Sequence, residues 1–110
     1  MKINDVELHL DLYDAQTARR YEKAVEGLQA ASTAEPDAKL SENIERQCQA
    51  VFAFFDTLFG EGTSAQIFGQ TQNLNLCLDA IEKVAACVNE QKQAFLKKAG
   101  SAMHLSGGEQ

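Results

Sequence analysis

The sequence predicts an α+β fold that is mostly α. An N-terminal β-hairpin or strand leads into three long helices and a short helical turn, with a helical-bundle core. Three observations carry that reading. Apolar and polar residues alternate from Val6 to Leu12, the period of a half-buried strand. Three long stretches repeat apolar residues every three to four positions, the period of a helix face. Between the last two lies a corner from Leu58 to Gly69, in which two Phe-Gly pairs bracket a polar, glycine-bearing turn.

In the first element, residues 1–12, Val6, Leu8, Leu10 and Leu12 alternate with Glu7, His9 and Asp11. Asn4-Asp5 serves as a two-residue turn, because both residues tolerate the left-handed backbone that a type I′ hairpin requires. Ile3 then faces Val6, and Met1 faces Leu8. The first arm is only about three residues long and cannot pair the far end of the second. Leu10 and Leu12 therefore either pack on the helices or take a partner strand from another subunit by edge addition.

The first helix spans 14–31. Asp14 is its N-cap, with Asp11 a competing position, because a carboxylate there accepts the free N–H groups of the first turn. Ala18, Tyr21, Val25 and Leu28 form its apolar face. Ser32 to Pro36 is a linker, since Pro36 lacks an N–H and restricts the residue before it. The second helix spans 37–59, its start falling between Asp37 and Ser41, and is the most apolar. Leu40, Ile44, Cys48, Val51, Phe52, Phe55, Leu58 and Phe59 make one stripe, which Phe54 widens. Gly60 closes it in left-handed geometry. Thr63 or Ser64 caps a short helix over 63–68, which Gly69 ends. The last helix spans 72–98, with Leu74, Cys77, Leu78, Ile81, Val84, Ala85, Val88, Phe95 and Leu96 as its stripe. Lys97 and Lys98 suit its C-terminal end. Gly100 stops it, and residues 101–110 form a disordered tail beyond a single domain of residues 1–100.

A chain of 110 residues with net charge −6 is one acidic domain. Residues 1–60 carry six Lys/Arg against eleven Asp/Glu, and residues 61–110 carry four against five. A nucleic-acid partner needs a basic face that releases counterions from phosphates, so that class is set aside. The N-terminus lacks the basic and long apolar segments of a signal peptide, and no run reaches the length of a membrane span. The expected location is cytoplasmic. Three cysteines, an odd count without close pairing, do not form a disulfide framework.

Candidate chemistry is sparse. His9 lies on the polar side of its strand, and His104 lies in the tail. Neither has metal-ligand or triad spacing to Cys48, Cys77 or Cys87. Cys48 sits on a core stripe, where cysteine acts as a small hydrophobe. Gly60-Glu61-Gly62-Thr63 follows a helix rather than a strand and lacks the Gly-Lys-Ser/Thr ending of a phosphate loop; turn geometry explains its glycines. The aromatic residues have no interleaved lysines to make a base-stacking platform. Asp11, Asp14, Glu22, Glu26, Glu42 and Glu45 are spaced like solvated helix faces. The sequence predicts no catalytic residue, no cofactor, no metal and no enzyme activity.

What remains is a protein-interaction surface. Its candidate residues are Phe59, Gly60, Gly62, Ile67, Phe68 and Gly69 at the corner, with Leu10 and Leu12 on the strand. The corner rings either seal the end of the helical hairpin or form an exposed aromatic patch that marks a partner site.

Two stretches resemble a small family of uncharacterised proteins encoded in phages and prophages of Gram-positive gut anaerobes. One runs from Lys2 to Leu8, continues through Asp11 to Ala18, and includes Tyr21-Glu22. The other is Leu58 to Thr63 with Ile67 to Gly69 and Asn73-Leu74. Asp5 stands where that family carries Gly. Such proteins are similar in size and helical character to tail assembly chaperones, which bind the tape measure or tail tube protein before assembly. The resemblance implies a phage-derived assembly or scaffolding protein with protein partners, and the N-terminal strand offers a route to a homo-oligomer. The alternative is a small host regulatory module that recognises a peptide or small ligand between the second and third long helices.

Overall fold

The computed structural model describes residues 1–31 and 35–107, with side chains described to Ser101. It is mostly helical with a small N-terminal β part, as the alternation and periodicity predict. Strands β1 (Lys2–Ile3) and β2 (Val6–Glu7) pair antiparallel, with Lys2 opposite Glu7 and Ile3 opposite Val6. Asn4 and Asp5 turn the hairpin with φ of 49° and 66°, the backbone that a type I′ turn demands. Leu8 N–H donates to the Met1 carbonyl at 2.7 Å, so Met1 and Leu8 face each other as the register requires. The Met1 ammonium lies 3.2 Å from the Glu7 carboxylate. Its hydrogen bond and its charge hold the Glu7 carboxyl below the usual range.

Four helices follow: α1 (Ala15–Ala31), α2 (Leu40–Phe59), α3 (Thr63–Phe68) and α4 (Leu74–Gly107). Asp14 caps α1, accepting the Thr17 N–H at 3.1 Å, and Asn73 caps α4, accepting the Leu76 N–H at 3.1 Å. Of the linker expected at 32–36, Ser32, Thr33 and Ala34 lie outside the described residues. Helix α2 starts at Leu40, inside the window from Asp37 to Ser41 in which its start is expected. Pro36 and Asp37 are spent in a turn closed by Ala38 N–H to the Glu35 carbonyl, and Lys39 is extended. Asn43 clamps both backbone groups of Glu35, and Arg46 pairs with the Glu35 carboxylate at 3.3 Å.

Helix α4 corrects the tail. The apolar spacing predicts an end at Lys98 and a disordered tail over 101–110, but the helix continues to Gly107; residues 108–110 lie outside the described residues. A glycine inside a helix costs about 1 kcal/mol relative to alanine and does not by itself end it. Gly100 is flanked by strong helix formers from Leu96 to Ala99, and it stays helical. The 34 residues of α4 span about 51 Å at the helical rise. That length draws the molecule out to 63 × 31 × 21 Å.

Helix α2 is the centre. It packs against α1, α3 and α4, whereas α1 and α4 meet each other little. Phe55 is fully buried toward the C-terminal end of α2, with Phe54, Phe59 and Phe68 at ring-centroid distances of 5.5, 5.9 and 5.6 Å. Burying such a ring stabilises the fold by about 1.5–3 kcal/mol. Cys48, Val51 and Leu58 of α2 meet Cys77, Ala80, Val84 and Val88 of α4, and the hairpin adds Ile3 and Leu8. The face of α1 centres on Ala24, which is 3% exposed, with Tyr21, Val25 and Leu28 half-buried around it. The apolar stripes are wider than the contacts. Leu40, Leu78, Phe95 and Leu96, read as core positions from spacing alone, are exposed.

Candidate functional site

The corner from Leu58 to Gly69 is a plug. Ile67 and Phe68 of α3 are buried, and Phe59 is half-buried against Phe55. Phe68 also lies 5.2 Å from Phe52. The rings seal the end of the helical hairpin, so the corner offers no exposed aromatic patch. Gly60, Gly62 and Gly69 carry the turn with positive φ. Gly60 is not the left-handed cap the sequence reading placed there. Its φ of 118° and ψ of 155° lie in a region essentially confined to glycine. Thr63 and Ser64 are not the caps of α3 either. Thr63 is the first helical residue, and its hydroxyl donates to the Gly60 carbonyl at 2.7 Å. The cap comes from α2: the Asp56 carboxylate accepts both the N–H and the hydroxyl of Ser64, at 2.8 and 3.0 Å. The Asn4 amide donates to the Ile67 carbonyl at 3.2 Å, tying the hairpin turn to this corner.

Leu10 is buried and Leu12 half-buried, both packed on the helices. Among the described residues no strand pairs this stretch. The Gln91 side chain of α4 takes that place: its amide nitrogen donates to the Leu10 carbonyl, and its oxygen accepts the Leu12 N–H at 2.8 Å. One side chain thus supplies the donor and acceptor that a neighbouring strand would offer. Within the chain, Leu10 and Leu12 pack on the helices.

Past this clip the apolar side chains come to the surface. Helices α1 and α4 both lean on α2 and leave a groove of about 380 Å³ between them. Leu12 and Tyr13 enter it from the extended segment, Ala18 and Tyr21 from α1, and Phe95 and Leu96 from α4. Glu22 stands on the α1 wall and Lys92 on the α4 wall. Tyr13, Phe95 and Leu96 are 50, 51 and 64% exposed. Tyr13 and Phe95 pair with centroids 5.7 Å apart, and the Lys98 ammonium lies 5.8 Å from the Tyr13 ring centre. Aromatic rings that stay half in water on a groove are the side chains that dominate protein–protein contacts.

This groove was missed in the sequence because Phe95 and Leu96 continue the spacing of the α4 core stripe. The available signal was Gln91, a polar residue on that stripe between Val88 and Phe95. It marks where the covered part of α4 ends. A second signal was length, since a helix longer than the 20 residues of α2 outruns its cover.

The remaining candidates lie apart from the groove or outside the described residues. His9 is exposed, and the side chain of His104 lies outside the described residues. Among the described residues no group of three or more His, Cys, Asp or Glu is placed to hold a metal ion. Cys48 and Cys77 are buried side by side between α2 and α4. Burial, and then the neighbouring Cys48 thiol, push the Cys77 thiol up to about 12. Cys87 is half-buried beside Gln91. Among the described residues no helix is long and apolar enough to cross a membrane.

Residues 4–105 match a family described as a family of unknown function (DUF6673). The match takes in the hairpin turn, both walls of the groove and nearly all of α4. No curated protein and no solved structure matches the chain.

Proposed function

The chain belongs to this family of unknown function, and from that premise we propose that the protein is a non-enzymatic assembly or scaffolding protein that holds a segment of another protein. The observation that carries the reading is the open groove around Tyr13, Phe95 and Leu96. Large apolar side chains left together on the surface of a small domain mark a place where another molecule sits. The resemblance of the N-terminal stretch and the corner to phage-encoded proteins supports the finer form of the proposal. In that form the protein is a phage-derived tail assembly chaperone, and its partner is the tail tube or tape measure protein.

Co-expression tests this. The tagged chain is expressed with the tail tube and tape measure proteins of a candidate phage. One of them copurifies with the wild type and is lost with Phe95→Glu. No complex with either protein contradicts the tail reading.

A second reading is a small host regulatory module that recognises a peptide or small ligand. The volume of the groove favours it, because about 380 Å³ falls within the range of small-ligand pockets. The groove lies between α1 and α4, however, and not between the second and third long helices, where the sequence reading placed such a site. A small ligand bound there raises the melting temperature of the isolated protein; a scaffold without its partner shows no such shift with metabolite mixtures.

A further inference from the structure

We infer that the groove between α1 and α4 receives an acidic amphipathic helix of a partner protein, apolar on one side and carrying Asp or Glu where it meets α4. This rests on the protein-docking reading above and names the chemistry of the docked segment. The lining is aromatic, from Tyr13, Tyr21 and Phe95, and suits apolar anchors spaced one helical turn apart. The α4 wall is basic. Lys92 lines the groove, and Lys98 stands over Tyr13.

That wall is exceptional in this chain. Residues 1–90 carry fifteen Asp/Glu against seven Lys/Arg, whereas residues 91–107 carry Lys92, Lys97 and Lys98 and no acid. Neither Lys92 nor Lys98 meets a carboxylate: the ion pairs among the described residues are Met1–Glu7 and Arg46–Glu35. The positions three and four residues away along α4 hold no Asp or Glu for either lysine, so the usual pairing along a helix is absent as well. Cations beside apolar surface and without counter-charges select an acidic partner and penalise a basic one.

The docked segment is a helix and not a strand. The backbone groups to which a strand would add, the Leu10 carbonyl and the Leu12 N–H, are already held by Gln91. Glu22 on the α1 wall opposes a phosphate backbone, which separates this site from a nucleic-acid groove.

The test uses the full chain and a labelled designed helical peptide, with leucines at i, i+3 or i+4, and i+7 and glutamates on the one flank that meets α4. Its controls are the same peptide with lysines on that flank and one with serines for the leucines. Fluorescence anisotropy at low salt is expected to give the glutamate peptide at least tenfold tighter binding than the lysine peptide, and high salt is expected to narrow the gap. The K92E/K98E variant inverts the preference, and the serine peptide does not bind. Equal affinity for both peptides, or a preference for lysine, overturns the inference. If no peptide binds while Phe95 is still required to capture a partner protein, the inference fails and the docking reading stands. If capture survives Phe95→Glu, the docking reading itself fails. Light scattering that shows a dimer lost in Phe95→Glu makes a second copy the occupant and also overturns the inference.

Discussion

Tyr13 and Phe95, eighty-two residues apart in sequence, face each other at 5.7 Å across the mouth of the groove. Tyr13 belongs to the extended segment that enters α1, and Phe95 to the part of α4 beyond its cover. The pair ties the two walls together while leaving each ring half in water. A tilted aromatic pair contributes about 0.5–1.5 kcal/mol beyond its burial. Phe95→Ser is therefore expected to lower unfolding free energy by about 1 kcal/mol in urea titration and to abolish partner capture. A loss several times larger would place Phe95 in the core.

Gln91 holds the segment that delivers Tyr13. Gln91→Leu removes the partners of the Leu10 carbonyl and the Leu12 N–H together. The expected loss is about 1–3 kcal/mol, with faster hydrogen exchange at the Leu12 amide. Gln91→Glu keeps the acceptor for Leu12 and loses the donor to Leu10, so it falls between. Unchanged exchange at Leu12 would show that the clip does not hold the segment.

The corner rings are predicted to affect stability and not binding. Phe55→Ala opens a cavity at the meeting point of three other rings and costs about 3–5 kcal/mol. Phe68→Ala behaves alike. A Phe68→Ala protein with wild-type stability and lost partner capture would return the corner to the role of interaction patch.

The hairpin, the helices and their order were legible because their signals are local: alternation, three-to-four spacing, and caps such as Asp14. What escaped was decided by other elements. Ala24 and Ala80 are buried because helices approach closely there, and a small side chain gives no hydrophobic signal of its own. Leu78 and Phe95 read as core by spacing but stay about half exposed, since cover depends on how far α2 reaches. Asp56 caps α3 from the preceding helix, a pairing across a turn that a search for a cap just before the helix does not find. The groove residues were present in the stripes. Their exposure was a property of the assembly of helices, not of any one of them.

Gly60 carries a backbone that only glycine adopts without strain. A Cβ there meets nothing within 4 Å, so the cost of Gly60→Ala is conformational, about 1–3 kcal/mol. Glu61→Ala beside it is expected within about 0.5 kcal/mol of wild type. Thermal unfolding of the two variants checks this; equal melting temperatures would contradict it.

The thiols should separate by burial. Burial pushes the Cys77 thiol up to about 12, so the thiolate that reacts with iodoacetamide is scarce at pH 8. Half-buried Cys87 is expected to alkylate first in the native protein, by mass spectrometry of timed samples. Cys48 and Cys77 follow only as the fold opens, and Cys77 modified ahead of Cys87 would contradict the packing described.

The account turns on the groove as the place where a partner protein is held. Photo-crosslinking tests it most directly, with benzoylphenylalanine at position 95 or, as control, at the exposed Leu40 position on the N-terminal end of α2. With the tail tube and tape measure proteins co-expressed, irradiation is predicted to join one of them to position 95 and not to position 40. Adducts from position 40 alone, or equally from both positions, would contradict the account.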